Sequence, residues 1–360
     1  MRNNSRAFHI RPYHFNGLNW TLASGEDDKD NIVVVTGFMP SWWEREYGIR
    51  FGSDFHLDPD THRTTLSKMQ SLLEERFGNL PGFLTTTDYA HSFPIERRYG
   101  DGLIPALFGA SVSFDDASGH PYAECLKLSD EQVERLEPPD VENHPVVSSF
   151  LDEKKGGFLR TSGEPGFEGV INIAYKLRGE EMFVDMLQKP ALARHLFEVV
   201  FETIRRTVLA VRTWQDPAHA RPSYFVNCDC LINMISGDMY RGYLIEYEKR
   251  FSECFELFGV HTCNWKIDPY LDSLAGISGL AYVDMGAESD LEKVHRLFPS
   301  LRPAVFFHPE RVRRLSPRDL RKEIGELARK IVKGYILLSD LEEGTSDGQI
   351  RAVYDEASRF

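Results

Sequence analysis

Residues 304–339 read AVFFHPERVRRLSPRDLRKEIGELARKIVKGYILLS. An apolar run, Ala304 to His308, leads into a Ser316-Pro317 helix start. Leu320, Ile324, Leu327 and Ile331 then recur at the 3.6-residue period of one helix face. A second apolar run, Tyr335 to Ser339, completes strand, amphipathic helix, strand. That rhythm is the βαβ unit of a parallel sheet. The same pattern extends upstream, with candidate strands at Leu280 to Asp284, Val260 to Cys263, Ser223 to Cys228 and Phe158 to Thr161. Ile32 to Thr36 and Phe83 to Thr87 supply two more and bring the count to the eight that a closed barrel needs.

The intervening helices are signalled in the same way. Pro190 opens one that carries Leu192, Leu196, Val200, Ile204, Val208 and Val211 on one face, and Ser236 precedes an aromatic stripe from Tyr240 through Phe258. Ser289 and Glu292 have capping-box spacing ahead of Leu291 and Val294. These stripes read as core. The expected architecture is α/β, a (β/α)8 TIM barrel over residues 26–360, with residues 1–25 as an N-terminal arm. An insertion runs from Asp88 to Lys155 in the early half and contains a strand at Ala110 to Phe114.

Composition narrows the function. A net charge of −13 over 360 residues repels phosphate backbones and anionic lipid heads, so nucleic-acid and membrane partners are not expected. Five cysteines make no disulfide framework in a chain this long, and no apolar run reaches membrane-spanning length. The expectation is a cytoplasmic protein with reduced thiols, open to homodimer formation. A dinucleotide fingerprint, a phosphate loop and a Gly-x-Ser-x-Gly elbow are all missing from the sequence.

In such barrels the chemistry lies at the carboxyl ends of the strands. The residues there are rich in ligand atoms: Asp88, Cys228, Asp229, Cys230, His261, Cys263, Asp284, His308 and Asp340. Alternation along a strand puts His261 and Cys263 on one side, where imidazole and thiolate suit zinc. A third ligand is expected after the last strand, from Asp340, Glu342 or Glu343, ahead of Cys228 and Cys230. His308 reads as an acid/base or orienting group, and Asp229 and Asp88 as further catalytic candidates. Gly166, in the glycine-rich run Gly163 to Gly169, and Asp284 read as cofactor or substrate contacts.

The segments Gly169 to Met186, Ile235 to Tyr240 and Gly259 to Cys263 are similar to the uroporphyrinogen decarboxylase superfamily. Gly286 to Phe298, and Gly334 to Leu337 leading into Gly344-Thr345-Ser346, continue the resemblance, which spans about residues 100 to 360. The decarboxylases grip substrate carboxylates with an arginine-rich amino-terminal motif, and Gly37 to Glu46 lacks it. The chain more closely resembles the corrinoid-dependent methyltransferases, such as the methylcobalamin:coenzyme M enzymes. Their zinc motif is a His-x-Cys with a distant Cys after the last strand. His261 and Cys263 match; the third position falls near Leu341, which binds no metal, and Asn264 stands where the family usually has Gly. The resemblance implies a zinc-dependent methyltransferase of corrinoid C1 metabolism. It would move a methyl group between a small substrate and a methylcorrinoid carried by a corrinoid-binding partner protein. A metal-independent decarboxylase and a non-catalytic corrinoid- or tetrapyrrole-binding barrel are the alternative readings.

Overall fold

The computed structural model describes residues 6–8, 32–80, 83–85, 98–115, 121–148, 168–215 and 224–360. Its centre is a parallel sheet built from β1 (Arg6–Phe8), β2 (Ile32–Phe38), β3 (Phe83–Thr85), β6 (Tyr224–Cys228), β7 (Leu257–His261), β8 (Leu280–Gly286), β9 (Ala304–Phe306) and β10 (Gly334–Leu341). The strands lie in the order β3-β1-β2-β10-β9-β8-β7-β6. β4 (Val112–Phe114) and β5 (Pro121–Ala123) form a separate antiparallel hairpin. The N-terminal segment, expected as an arm, supplies β1, which stands between β2 and β3. Glu168 bridges Cys228 at the β6 edge. The expected strand from Phe158 to Thr161 lies outside the described residues.

Side-chain alternation sorts the strands into two faces. Val33 and Val35 of β2, Val226 of β6, Tyr282 of β8, Ala304 and Phe306 of β9, and Tyr335 and Leu337 of β10 form one small apolar cluster. Residues on the opposite face, among them Val34, Phe225, Val260, Val283, Val305 and Ile336, join the large core under the helices. That core takes the apolar stripes of the helices Pro190–Gln215 and Pro317–Ile331. Ser316 caps the second of these by accepting from the Asp319 amide at 3.2 Å.

Three local expectations are corrected. The aromatic stripe after Ser236 is not one helix: Gly237–Tyr243 and Ile245–Cys254 are separate, and Phe258 lies in β7. Leu291–Leu297 is capped by Asp290, which accepts from Lys293 N at 3.0 Å, while Ser289 Oγ accepts from Ile267 N instead. Strand β7 ends at His261, two residues short of Cys263. Among the described residues no helix is long and apolar enough to cross a membrane.

Gly259 sits on the same sheet face as His261, and a Cβ there would fall 2.9 Å from Tyr282 Cβ and 3.1 Å from Val226 Cγ2. The missing side chain is what lets the Tyr282 ring lie between β7 and β8. Gly242, in an exposed helical turn, has nothing within 4 Å of such a Cβ. We therefore expect Gly259→Val to cost about 1–3 kcal/mol through overpacking. Gly242→Ala should gain about 0.5–1 kcal/mol through helix propensity. Urea midpoints of the two variants should move in opposite directions.

Candidate metal centre

The centre is built where β6, β7 and β8 end. Cys228 pairs with His261 across β6 and β7. Between β7 and β8 the register slips by one residue, from Phe258 opposite Leu280 to Gly259 opposite Tyr282. The extra residue, Ala281, forms a bulge that turns the rest of β8 over. Val260 then pairs with Val283, so the next pair on the opposite face is His261 and Asp284. Without the bulge, Val283 would face His261.

Asp284 is fully buried, and its oxygens are saturated with donors. One accepts from the Thr262 amide at 2.7 Å; the other contacts His261 Nδ1 at 2.5 Å and accepts from the Tyr282 hydroxyl at 2.8 Å. The Thr262 hydroxyl donates to the Asp284 carbonyl at 2.7 Å. With Nδ1 committed, the imidazole can turn only Nε2 toward a ligand, and Nε2 lies 3.0 Å from Cys263 Sγ. This is the carboxylate–histidine arrangement that fixes tautomer and ring orientation in metal sites. Asp284, expected to contact a cofactor directly, instead holds the residue that would.

Cys263 reaches His261 by a turn, not by strand alternation. Its φ is 61°, in the left-handed region that a non-glycine residue seldom adopts. Two further hydrogen bonds brace the loop: Trp265 Nε1 donates to the Cys230 carbonyl at 2.9 Å, and Gly286 N to the Trp265 carbonyl at 2.8 Å. Cys230 approaches from the end of β6, where Asp229 N donates to the His261 carbonyl at 2.8 Å. The donor atoms of Cys230, His261 and Cys263 lie within 4.8 Å of one another.

Among the described residues this triple is the group of three His, Cys, Asp or Glu side chains whose donor atoms lie together, and its third member, Cys230, is one the sequence ranked behind Asp340, Glu342 and Glu343. Asp340 has intermediate burial in β10, at a φ of 59°; Glu342 and Glu343 are exposed, and Glu343 pairs with Arg45 at 3.2 Å. Leu341 is buried opposite Phe38. In the strand order β10 lies three strands from β7, whereas β6 is its immediate neighbour, about 5 Å away.

The other expected residues fall elsewhere. His308 is exposed and caps the helix Pro309–Arg314, its Nδ1 accepting from Glu310 N at 3.2 Å. Asp229 is fully buried beside Asn227 and Glu248. Asp88 and Gly166 lie outside the described residues.

Electrostatics fit a cation. Burial opposes charge on His261, but the Asp284 carboxylate, with Cys230, raises its pKa well above the ordinary value. The hydrogen bond with Cys263, together with burial, pushes the Cys230 thiol well up. A metal ion held by these residues would take the place of both protons and invert that preference. One imidazole nitrogen and two sulfurs are the donors zinc prefers, and three protein ligands leave a position open, as in catalytic zinc sites. We expect Cys230→Ala and Cys263→Ala to abolish stoichiometric zinc, and Asp284→Asn to weaken zinc about 10- to 100-fold. Asp340→Ala and Glu342→Ala should leave zinc unchanged. Elemental analysis of the five purified variants reads all of these outcomes.

No protein-family model matches the chain, and no curated protein matches it. Among solved structures, a methyltransferase from Methanosarcina mazei aligns over 95% of this chain and 97% of its own, with a TM-score of 0.58 at 14% identity. A B12-independent methionine synthase from Shewanella sp. W3-18-1, in complex with selenomethionine, aligns over 73% of this chain and 79% of its own, with a TM-score of 0.36 at 10% identity. The second likeness is too loose to build on. The first extends nearly end to end in both chains, and at that identity what it establishes is a shared fold.

Proposed function

We propose that this chain is a zinc-dependent methyltransferase of corrinoid one-carbon chemistry, on a closed (β/α)8 barrel related to the uroporphyrinogen decarboxylase superfamily. The observation that carries the reading is the convergence of Cys230 Sγ, His261 Nε2 and Cys263 Sγ, with Asp284 on the far side of the imidazole. The fold shared with a methyltransferase supports it. So does the separate apolar cluster on one face of the sheet, which would fill the barrel interior below the site.

Bound by this triple, zinc would supply a Lewis acid that holds a small acceptor as its anion near neutral pH. The residues set the conditions for that chemistry. Asp284 holds the His261 ring still and keeps Nε2 as the free donor. Tyr282 and Thr262 hold Asp284 in turn. Trp265, 42% exposed and tied to the Cys230 carbonyl, would form a wall of the acceptor site. The methyl group would be exchanged with a methylcorrinoid presented by a corrinoid-binding partner at the carboxyl ends of the strands. His308, Asp88 and Gly166 are proposed as contacts to that partner or to the substrate.

Loss of methylcobalamin absorbance in the presence of a small thiol tests the reading. We expect zinc-loaded protein to transfer the methyl group, and Cys230→Ala and Cys263→Ala to fall by about 100-fold or more, consistent with several kcal/mol of metal-borne charge stabilisation. Full transfer by zinc-free protein would sink the proposal.

A further inference from the structure

Behind the candidate zinc centre, on the other face of β6, lies a pocket of oxygens that nothing in the proposed reaction uses. Asn227 and Asp229 leave the end of β6, Tyr240 comes from the helix Gly237–Tyr243, and Glu248 comes from Ile245–Cys254. All four are buried, at 1%, 0%, 0% and 1% exposure. Asn227 Nδ2 donates to Glu248 Oε1 at 2.9 Å. Asn227 Oδ1 and Tyr240 OH are buried without a partner, and the remaining carboxyl oxygens, Asp229 Oδ1 and Oδ2 and Glu248 Oε2, have no N–H or O–H donor unless one carboxyl is protonated and donates to the other.

Asn227, Asp229 and Glu248 contact one another beside Gly169. A Cβ on Gly169 would stand 2.2 Å from Asp229 Oδ1 and 2.9 Å from Asn227 Oδ1, so both atoms face the bare glycine. Asp229 lies within hydrogen-bonding reach of both Glu248 and Asn227. Tyr240 is held by edge-on packing against Tyr270, ring centroids 5.4 Å apart, and feels both carboxylates. Among the described residues no lysine or arginine contacts either carboxylate. Burial pushes both carboxyls up, Glu248 well above the ordinary range, while the charge on His261 pulls Asp229 the other way; keeping both ionised there without a cation between them would cost several kcal/mol each, even after relaxation.

We propose that Asn227, Asp229, Tyr240 and Glu248 form a second metal site, taking a hard divalent cation of the calcium type. Two carboxylates balance a divalent charge, and an all-oxygen donor set excludes soft-metal preference. The irregular arrangement, with Asp229 offering both oxygens, suits Ca2+ better than Mg2+, which demands octahedral geometry and keeps waters. Asp229 directly precedes Cys230, so the ion would pin the β6 end from which Cys230 reaches the zinc centre. The site stands on its own donors and does not rest on the methyltransferase reading.

The test uses the full chain. As-purified protein is analysed for calcium, magnesium and zinc, then stripped, reloaded with zinc and titrated with CaCl2, with MgCl2 in a parallel arm. We expect calcium retained after desalting at about one per chain, and a Tm that rises with added Ca2+, since the ion binds the folded state alone. Glu248→Gln and Asp229→Asn, neutral and of the same shape, should lose both responses. A response to Mg2+ in place of Ca2+ supports the site with the other ion. Wild-type protein that binds neither ion, with Tm unmoved in both arms, overturns the proposal and leaves protons as what neutralises the two carboxylates. Zinc content, read in the same samples, reports separately on the zinc centre.

Discussion

The contact between Asp284 and His261 Nδ1 is the constraint on which the rest of the centre hangs. A buried carboxylate is costly unless its lone pairs are taken. Here the Thr262 amide, the Tyr282 hydroxyl and the imidazole take them. Each donor in turn fixes something else. Tyr282 needs the missing side chain of Gly259, Thr262 fixes where the β7 backbone leaves the strand, and His261 is left with one nitrogen free. The strained turn at Cys263 then has a defined target, and its left-handed φ is held in place by the Trp265 hydrogen bonds on either side. Truncating Asp284 would therefore loosen several elements at once.

Much of this architecture was legible in the chain. Residues 304–339 show the strand–helix–strand unit because periodicity changes from apolar runs to a 3.6-residue stripe and back, a property of short windows. His261 and Cys263 were visible as a pair because ligand residue types at a strand end are few. Cys230 ranked behind Asp340 as a third ligand because proximity in a parallel sheet depends on strand order, not on sequence distance. Cys230 is 31 positions before His261 in sequence yet arrives on the adjacent strand. Asp340 lies at the end of a strand that looked equally suitable and is three strands away.

The role of Asp284 was hidden by something finer. A one-residue register shift moves a whole set of side chains to the other face. The bulge at Ala281 is such a shift, and no local propensity in Leu280-Ala281-Tyr282 announces it. Reading β8 as a regular strand gives an acidic residue of uncertain face. The bulge turns the same residue into the anchor of the imidazole. The left-handed Cys263 was equally out of reach, since a Cys gives no sign of positive φ the way a Gly does.

The end of β6 serves two chemistries that alternate along the chain. Cys230 turns toward His261 and Cys263, whereas Asn227 and Asp229 point back among the helices toward Glu248. Thiolate and imidazole would form a soft-to-borderline site open at the strand ends, and carboxylate, amide and phenol oxygens a hard one sealed by helices. The separation matters because both donor sets sit on adjacent residues. A zinc ion that drifted to the oxygen side would lose its sulfur ligands, and a hard cation on the sulfur side would find only one nitrogen and two thiolates. The geometry of one strand end would thus sort ions by chemistry, with the peptide between Asp229 and Cys230 as the link between the two donor sets.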